Sequence, residues 1–76
     1  MVTARVITCS DAASRGQRED RSGPAVRDIL MANGYTVDKI VVVPDSIPAI
    51  AAQIEQATAS HVRLIVTTDG GGARDV

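Results

Sequence analysis

The chain alternates between two hydrophobic periods, and that alternation limits its fold more than any other feature. Three runs rich in β-branched residues, 4–10, 35–43 and 62–68, read as strands. In the first, Val6, Ile7 and Cys9 are apolar. The second ends in Ile40-Val41-Val42-Val43, apolar on both faces, as in a parallel sheet covered on both sides. Between the runs lie two helical stretches, 24–33 and 47–59. Ser22 is the expected N-cap of the first, and Pro24 fits its first turn because the missing N–H has no helical partner there. Ala25, Val26, Ile29 and Leu30 are its expected buried face, and Asn33-Gly34 stops it. Asp45 or Ser46 can cap the second helix. Its expected stripe is Ile47, Ile50, Ala51, Ile54, Ala57 and Thr58, and Ser60-His61 ends it. The order β-α-β-α-β predicts an α/β fold of three layers, a parallel sheet of order 2-1-3 between helices.

Composition narrows the function classes. The 76 residues fit one domain, 1–76, near the lower limit for a self-sufficient core. Tyr35 is the only aromatic residue, so that core is aliphatic and thin. A net charge of −1 without clustered Lys and Arg argues against nucleic acid as a partner. No apolar run approaches membrane-spanning length, and no signal peptide opens the sequence. One cysteine excludes an intrachain disulfide, so a cytoplasmic protein is expected. Cys9, among apolar strand residues, reads as an inert buried thiol. Met31 and Tyr35 read as packing residues, and His61 lies at the wrong end of its strand for a site.

In a parallel sheet the strands end at one rim, where ligands of open α/β sheets bind. Ser10-Asp11 follow the first strand, Pro44-Asp45 the second, and Thr67-Thr68-Asp69-Gly70-Gly71-Gly72-Ala73-Arg74-Asp75 the end of the third. Such a glycine run either simply turns the chain or brings backbone amides to an anion. Asp45 and Asp75 are the minimum equipment for holding Mg²⁺ against phosphates. The connection 11–21 is long for a βα loop and carries Arg15, Arg18 and Arg21 beside Glu19 and Asp20. For each arginine a solvated surface role is favoured.

Four segments, taken together, resemble the molybdopterin adenylyltransferase (MoaB/Mog-type) family of molybdenum cofactor biosynthesis. They are Ile7-Thr8-Cys9-Ser10-Asp11, Glu19-Asp20-Arg21-Ser22-Gly23-Pro24, Val42-Val43-Pro44-Asp45, and Thr67-Thr68 through Arg74-Asp75-Val76. The resemblance implies transfer of AMP from ATP to the terminal phosphate of molybdopterin, with Mg²⁺ and release of pyrophosphate. It implies a homotrimer. It also implies that Asp45 and Asp75 serve catalysis and the metal. Ser10, Asp11, Ser22, Gly23, Thr67, Thr68, Gly70, Gly71, Gly72 and Arg74 would line the nucleotide and pterin pocket. The sequence departs from the family loop Thr-Thr-Gly-Gly-Thr-Gly. Asp69 stands at its first glycine, Gly71 at its threonine, and the path to Arg74 is shorter. The chain also ends before the family's Thr-Pro, so the resemblance is to the N-terminal part of that domain. A non-catalytic module that binds pterin or nucleotide, or only assembles, is the alternative expectation.

Overall fold

A computed structural model describes residues 2–69. The elements follow the expected order. They are β1 (Thr3–Cys9), a short helix α1 (Asp11–Ser14), α2 (Ser22–Ala32), β2 (Thr36–Val43), α3 (Ile47–Ala59) and β3 (Leu64–Thr68). The strands form one parallel sheet in the order β2-β1-β3. Gly23 of α2 lies against Thr8, whereas Ile50 of α3 shares a cleft with Cys9. Successive strand residues point to opposite faces, so the two helices cover opposite sides of β1, as right-handed crossovers require.

The core is centred on β1, where Ala4 through Thr8 are all buried. Val43, Ala57 and Val62 add to it from β2, α3 and the start of the third strand segment. Burial on both faces includes two polar side chains, Arg5 and Thr8, and each meets an acid. The pairing of β1 with β3 runs without interruption, whereas between Ala4 and Val6 the register with β2 jumps from Val37 to Ile40. That extra residue makes a bulge. Its Asp38 meets Arg5 in a two-pronged ion pair, with Nη2 2.5 Å and Nε 3.2 Å from the carboxylate oxygens. Arg5 is 3% exposed, whereas the Asp38 side chain is 29% exposed, so the pair is shielded from water on the arginine side alone. The hydrogen bond from Arg5 holds the Asp38 carboxyl below its ordinary range, against an opposing effect of burial.

Thr8 donates to Asp20 Oδ2 at 2.9 Å. Asp20 Oδ1 accepts from the Gly23 amide at 3.0 Å and the Ser22 hydroxyl at 3.2 Å. The cap of α2 is therefore Asp20, not Ser22 as expected. Ser22 is already inside the helix, and a carboxylate at the positive end of the helix dipole is the stronger acceptor. The inward face of α2 also differs from the expectation. Gly23 is buried, Val26, Arg27 and Leu30 are half-buried, and Ala25 and Ile29 are outward. The first-turn glycine belongs to the stripe, which shifts the face. A Cβ at Gly23 would lie 2.7 Å from Ile40 Cγ2 and 2.9 Å from Thr8 Oγ1, so helix and sheet approach through a position that only glycine fits.

Both long helices end in the same motif. After α2, Gly34 (φ 88°) and Tyr35 donate to Met31 and Leu30 carbonyls. After α3, His61 (φ 62°) and Val62 donate to those of Thr58 and Ala57. These are Schellman ends, and in the second the buried pair Val62 and Ala57 supplies the apolar contact that accompanies the motif. Along α3 only Ala57 of the expected stripe is buried. Ile50 is half-buried, while Ile47 (84% exposed) and Ile54 face outward, as do Ile29 and Met31 of α2. No helix among the described residues is long and apolar enough to cross a membrane.

Two substitutions test this backbone reading in opposite directions. Gly23→Ala forces helix and sheet apart and is expected to cost about 1–3 kcal/mol. His61→Gly relieves a left-handed residue and is expected to stabilise by about 0.5–1 kcal/mol, less than the strain removed because glycine is freer when unfolded. Urea midpoints of the two variants should move to opposite sides of the parent; movement to the same side would contradict the assignment.

The ion pair gives a pH dependence. Asp38 has a lower pKa folded than unfolded, so its contribution is complete above the ordinary carboxylate range of about 4 and is lost as pH falls through the folded value. Asp38→Asn should lower stability at pH 7 and flatten the loss below about pH 5. Denaturation midpoints between pH 7 and pH 3 measure this; an unchanged slope would exclude Asp38 as its source.

Candidate functional site

At the C-terminal rim of the sheet a cleft of about 340 Å³ opens on the α3 side. Cys9, Asp45, Ile50, Thr67, Thr68 and Asp69 line it. The fold explains why these residues meet. Val43 ends β2 beside Cys9, and Thr67 and Thr68 lie opposite Ile7 and Thr8 in the ladder. Pro44 cannot continue the sheet, so the chain turns and Asp45 is set at the rim just ahead of α3. The N-cap position of α3 is Ser46, one of the two expected residues, but its side chain makes no capping bond.

The turns behind the cleft are held by the residues that follow β1. The Ser10 amide donates to the Val43 carbonyl at 2.9 Å, which extends the β1–β2 pairing by one step. The Ser10 hydroxyl accepts from the Ala13 amide at 3.2 Å and caps α1. The long loop thus begins with one helical turn, a departure from the irregular connection that the sequence predicts. Asp11 Oδ1 accepts from the Asp45 amide at 3.0 Å, a bridge between the ends of two strands. Farther along the loop Arg15, Arg18 and Arg21 are exposed. The Arg21–Glu19 contact at 3.6 Å is fully solvated and adds little.

The structure therefore gathers Asp45, Thr67 and Thr68 of the expected site residues into one cleft, with Ser10 and Asp11 supporting it. Ser22 and Gly23 are at the rim as well, but on the α2 face, where both donate to Asp20. Gly70, Gly71, Gly72, Arg74 and Asp75 lie outside the described residues. Sequence reasoning missed the role of Asp20; an acid three residues before a helical amide, ahead of Ser-Gly-Pro, was the available signal. It also placed Cys9 in the apolar interior alone, whereas the thiol is half-buried at the cleft wall.

The donor set of the cleft is oxygen-rich. Asp45, Asp69, Thr67 and Thr68 line the cleft, and as successive residues of β3 the two threonines point to opposite faces of the sheet. Among the described residues no three His, Cys, Asp or Glu side chains form a metal cluster. One or two carboxylates with room for phosphate oxygens is the arrangement that suits Mg²⁺, which keeps water and shares its shell with substrate phosphates. Cys9 suits neither a metal nor nucleophilic work. Burial pushes its thiol up, and the negative charge of Asp45 pushes it the same way.

Cys9 should accordingly alkylate more slowly than a free thiol at pH 7.5. Asp45→Asn removes one of the two causes and should speed the reaction. An unchanged or slower rate of iodoacetamide labelling would place the Asp45 carboxylate away from the thiol.

Comparison with known proteins finds relatives in molybdenum cofactor biosynthesis. A molybdopterin adenylyltransferase of Pyrococcus furiosus is 40% identical over 67 residues, which are 88% of this chain and 39% of that protein. A molybdenum cofactor biosynthesis bifunctional protein of Synechococcus elongatus is 39% identical over 71 residues, 93% of this chain and 22% of that protein. The chain thus spans well under half the length of the curated relatives it matches. The crystal structure of a molybdopterin biosynthesis protein from Mycobacterium abscessus superposes with a TM-score of 0.83 at 32% identity, over 87% of this chain and 41% of that one. Residues 5–76 match the family described as "Probable molybdopterin binding domain", and the chain belongs to that family.

Proposed function

We propose that this chain acts in molybdenum cofactor biosynthesis and supplies the rim on which molybdopterin is adenylylated by ATP. The observation that carries the reading is the meeting of Asp45, Thr67 and Thr68 in one cleft at the ends of parallel strands, in a chain of this family. In the proposed reaction an oxygen of the molybdopterin terminal phosphate attacks the α-phosphorus of ATP. The new P–O bond forms as the bond to pyrophosphate breaks, and pyrophosphate leaves. Such a transfer needs alignment and charge neutralisation more than covalent help. Asp45 would hold Mg²⁺, and when bound that ion supplies neutralising charge to the phosphates. Thr67 and Thr68 would contribute at the end of β3 to the orientation of phosphate oxygens. Asp75, the glycines and Arg74 belong to the same proposal by resemblance, as does assembly into a homotrimer.

Asp69 favours a second reading, in which the cleft binds pterin or nucleotide with little turnover. Its carboxylate lines the cleft beside Thr67 and Thr68. In a partly desolvated pocket a like charge facing a phosphate costs on the order of 1 kcal/mol or more. With Mg²⁺ present the same carboxylate can join the metal shell, which turns repulsion into attraction.

The assay that decides between them combines the chain with molybdopterin, Mg²⁺ and α-labelled ATP. Adenylylated pterin and pyrophosphate that depend on Asp45 support the enzyme. Saturable binding of pterin or nucleotide without product supports the binding module, and Asp69→Gly should then tighten nucleotide binding at low Mg²⁺ by about fivefold or more. Neither product nor binding would overturn both readings.

A further inference from the structure

We infer that Asp11 is a positioning residue that acts through Asp45 rather than a group that touches the ligand. This rests on the role proposed for Asp45 and assigns Asp11 a different task from the pocket lining that the resemblance implies. Between β2 and α3 the chain passes through Val43, Pro44, Asp45 and Ser46. The Val43 carbonyl is taken by the Ser10 amide, and Pro44 has no N–H. The Ser46 amide donates to the Pro44 carbonyl at 2.8 Å. That leaves the Asp45 amide, and its acceptor is Asp11 Oδ1 at 3.0 Å. This side-chain bond ties the Asp45 backbone to the segment after β1.

The Asp11 end of the bridge is tied to its surroundings by several hydrogen bonds. Asp11 is the first residue of α1, whose cap is Ser10, 9% exposed and bonded at both its amide and its hydroxyl. The Asp11 carbonyl accepts from the Arg15 amide at 3.2 Å and from the Ser14 hydroxyl at 2.9 Å. The Asp11 carboxylate is thus aimed from a capped helical turn anchored on β1 and β2. It fixes the one residue of the β2–α3 turn whose side chain enters the cleft. Because the bond is at the surface, its loss changes stability little, since water replaces the acceptor. What changes is the direction from which the Asp45 carboxylate meets its ligand.

Asp11→Ala and Asp11→Asn separate the possibilities, because asparagine keeps the acceptor oxygen and loses the charge. Two quantities are read on the full chain: hydrogen exchange of the Asp45 amide by NMR, and binding of ATP in the presence of Mg²⁺. Asp11→Ala should speed Asp45 exchange and weaken binding, each on the order of tenfold. Asp11→Asn should retain both within about twofold. Equal loss of binding in the two variants would overturn the inference and make Asp11 a charged ligand. An Asp45 amide that exchanges alike in Asp11→Ala and the parent would overturn it as well. Should the parent fail to bind ATP, the proposed function falls, and the exchange data still decide whether Asp11 holds Asp45.

Discussion

Burial of β1 on both faces is the constraint from which the rest of this structure follows. A strand in the middle of a parallel sheet, with a helix on each side, has no face left for water. β1 nevertheless carries Arg5 and Thr8 among Ala4, Val6 and Ile7. Each buried polar group then requires a partner, because an unpaired one costs more than its hydrogen bond is worth. Neighbouring segments bend to supply the partners. A bulge in β2 brings Asp38 to Arg5 on the α3 face. The end of the long loop brings Asp20 to Thr8 on the α2 face. Among the described residues no buried side-chain polar atom is left without a partner. Two irregularities, a bulge and a long connection, thus have one cause.

The bulge also distinguishes the two outer strands. β2 departs from regular pairing and carries Asp38 and Lys39 there, both of which discourage a further strand from adding at that edge. β3 pairs with β1 in unbroken register and is apolar over Leu64, Ile65 and Val66. The sheet is therefore asymmetric, with a charged, kinked side and a regular, apolar side. The cleft sits toward the regular side, where the straight run of β3 delivers Thr67, Thr68 and Asp69 to the rim in sequence.

The strands and their order were legible because β-branched apolar runs in a β-α-β-α-β pattern leave few topologies. The C-terminal rim was legible for the same reason, and with it Asp45, Thr67 and Thr68. Helix faces were less so. Aliphatic residues are spread around both α2 and α3, so counting them could not show that Gly23 faces inward while Ile29 and Ile47 face out. The contact that settles the α2 face is the absence of a side chain, which no hydrophobicity count records. The bulge was hidden because Asp38-Lys39 looks like any polar pair in a strand. Its need becomes visible only when Arg5 is seen to be buried.

The same accounting separates the two faces of the rim. On the α2 face the Ser22 hydroxyl and the Gly23 amide already donate to Asp20, and Asp20 also holds Thr8. An anionic ligand that took those donors would have to displace a carboxylate bound by three hydrogen bonds. It would meet negative charge where the helix dipole would otherwise attract it. On the α3 face the N-cap residue Ser46 makes no side-chain cap. Asp45, Thr67 and Thr68 stand around an open cleft there. The Ser22-Gly23-Pro24 segment thus has a packing and a capping role, with glycine required by the approach of Asp20, Ile40 and Thr8. The cleft lies on the other side of the sheet, and Asp11 reaches that side through the amide of Asp45.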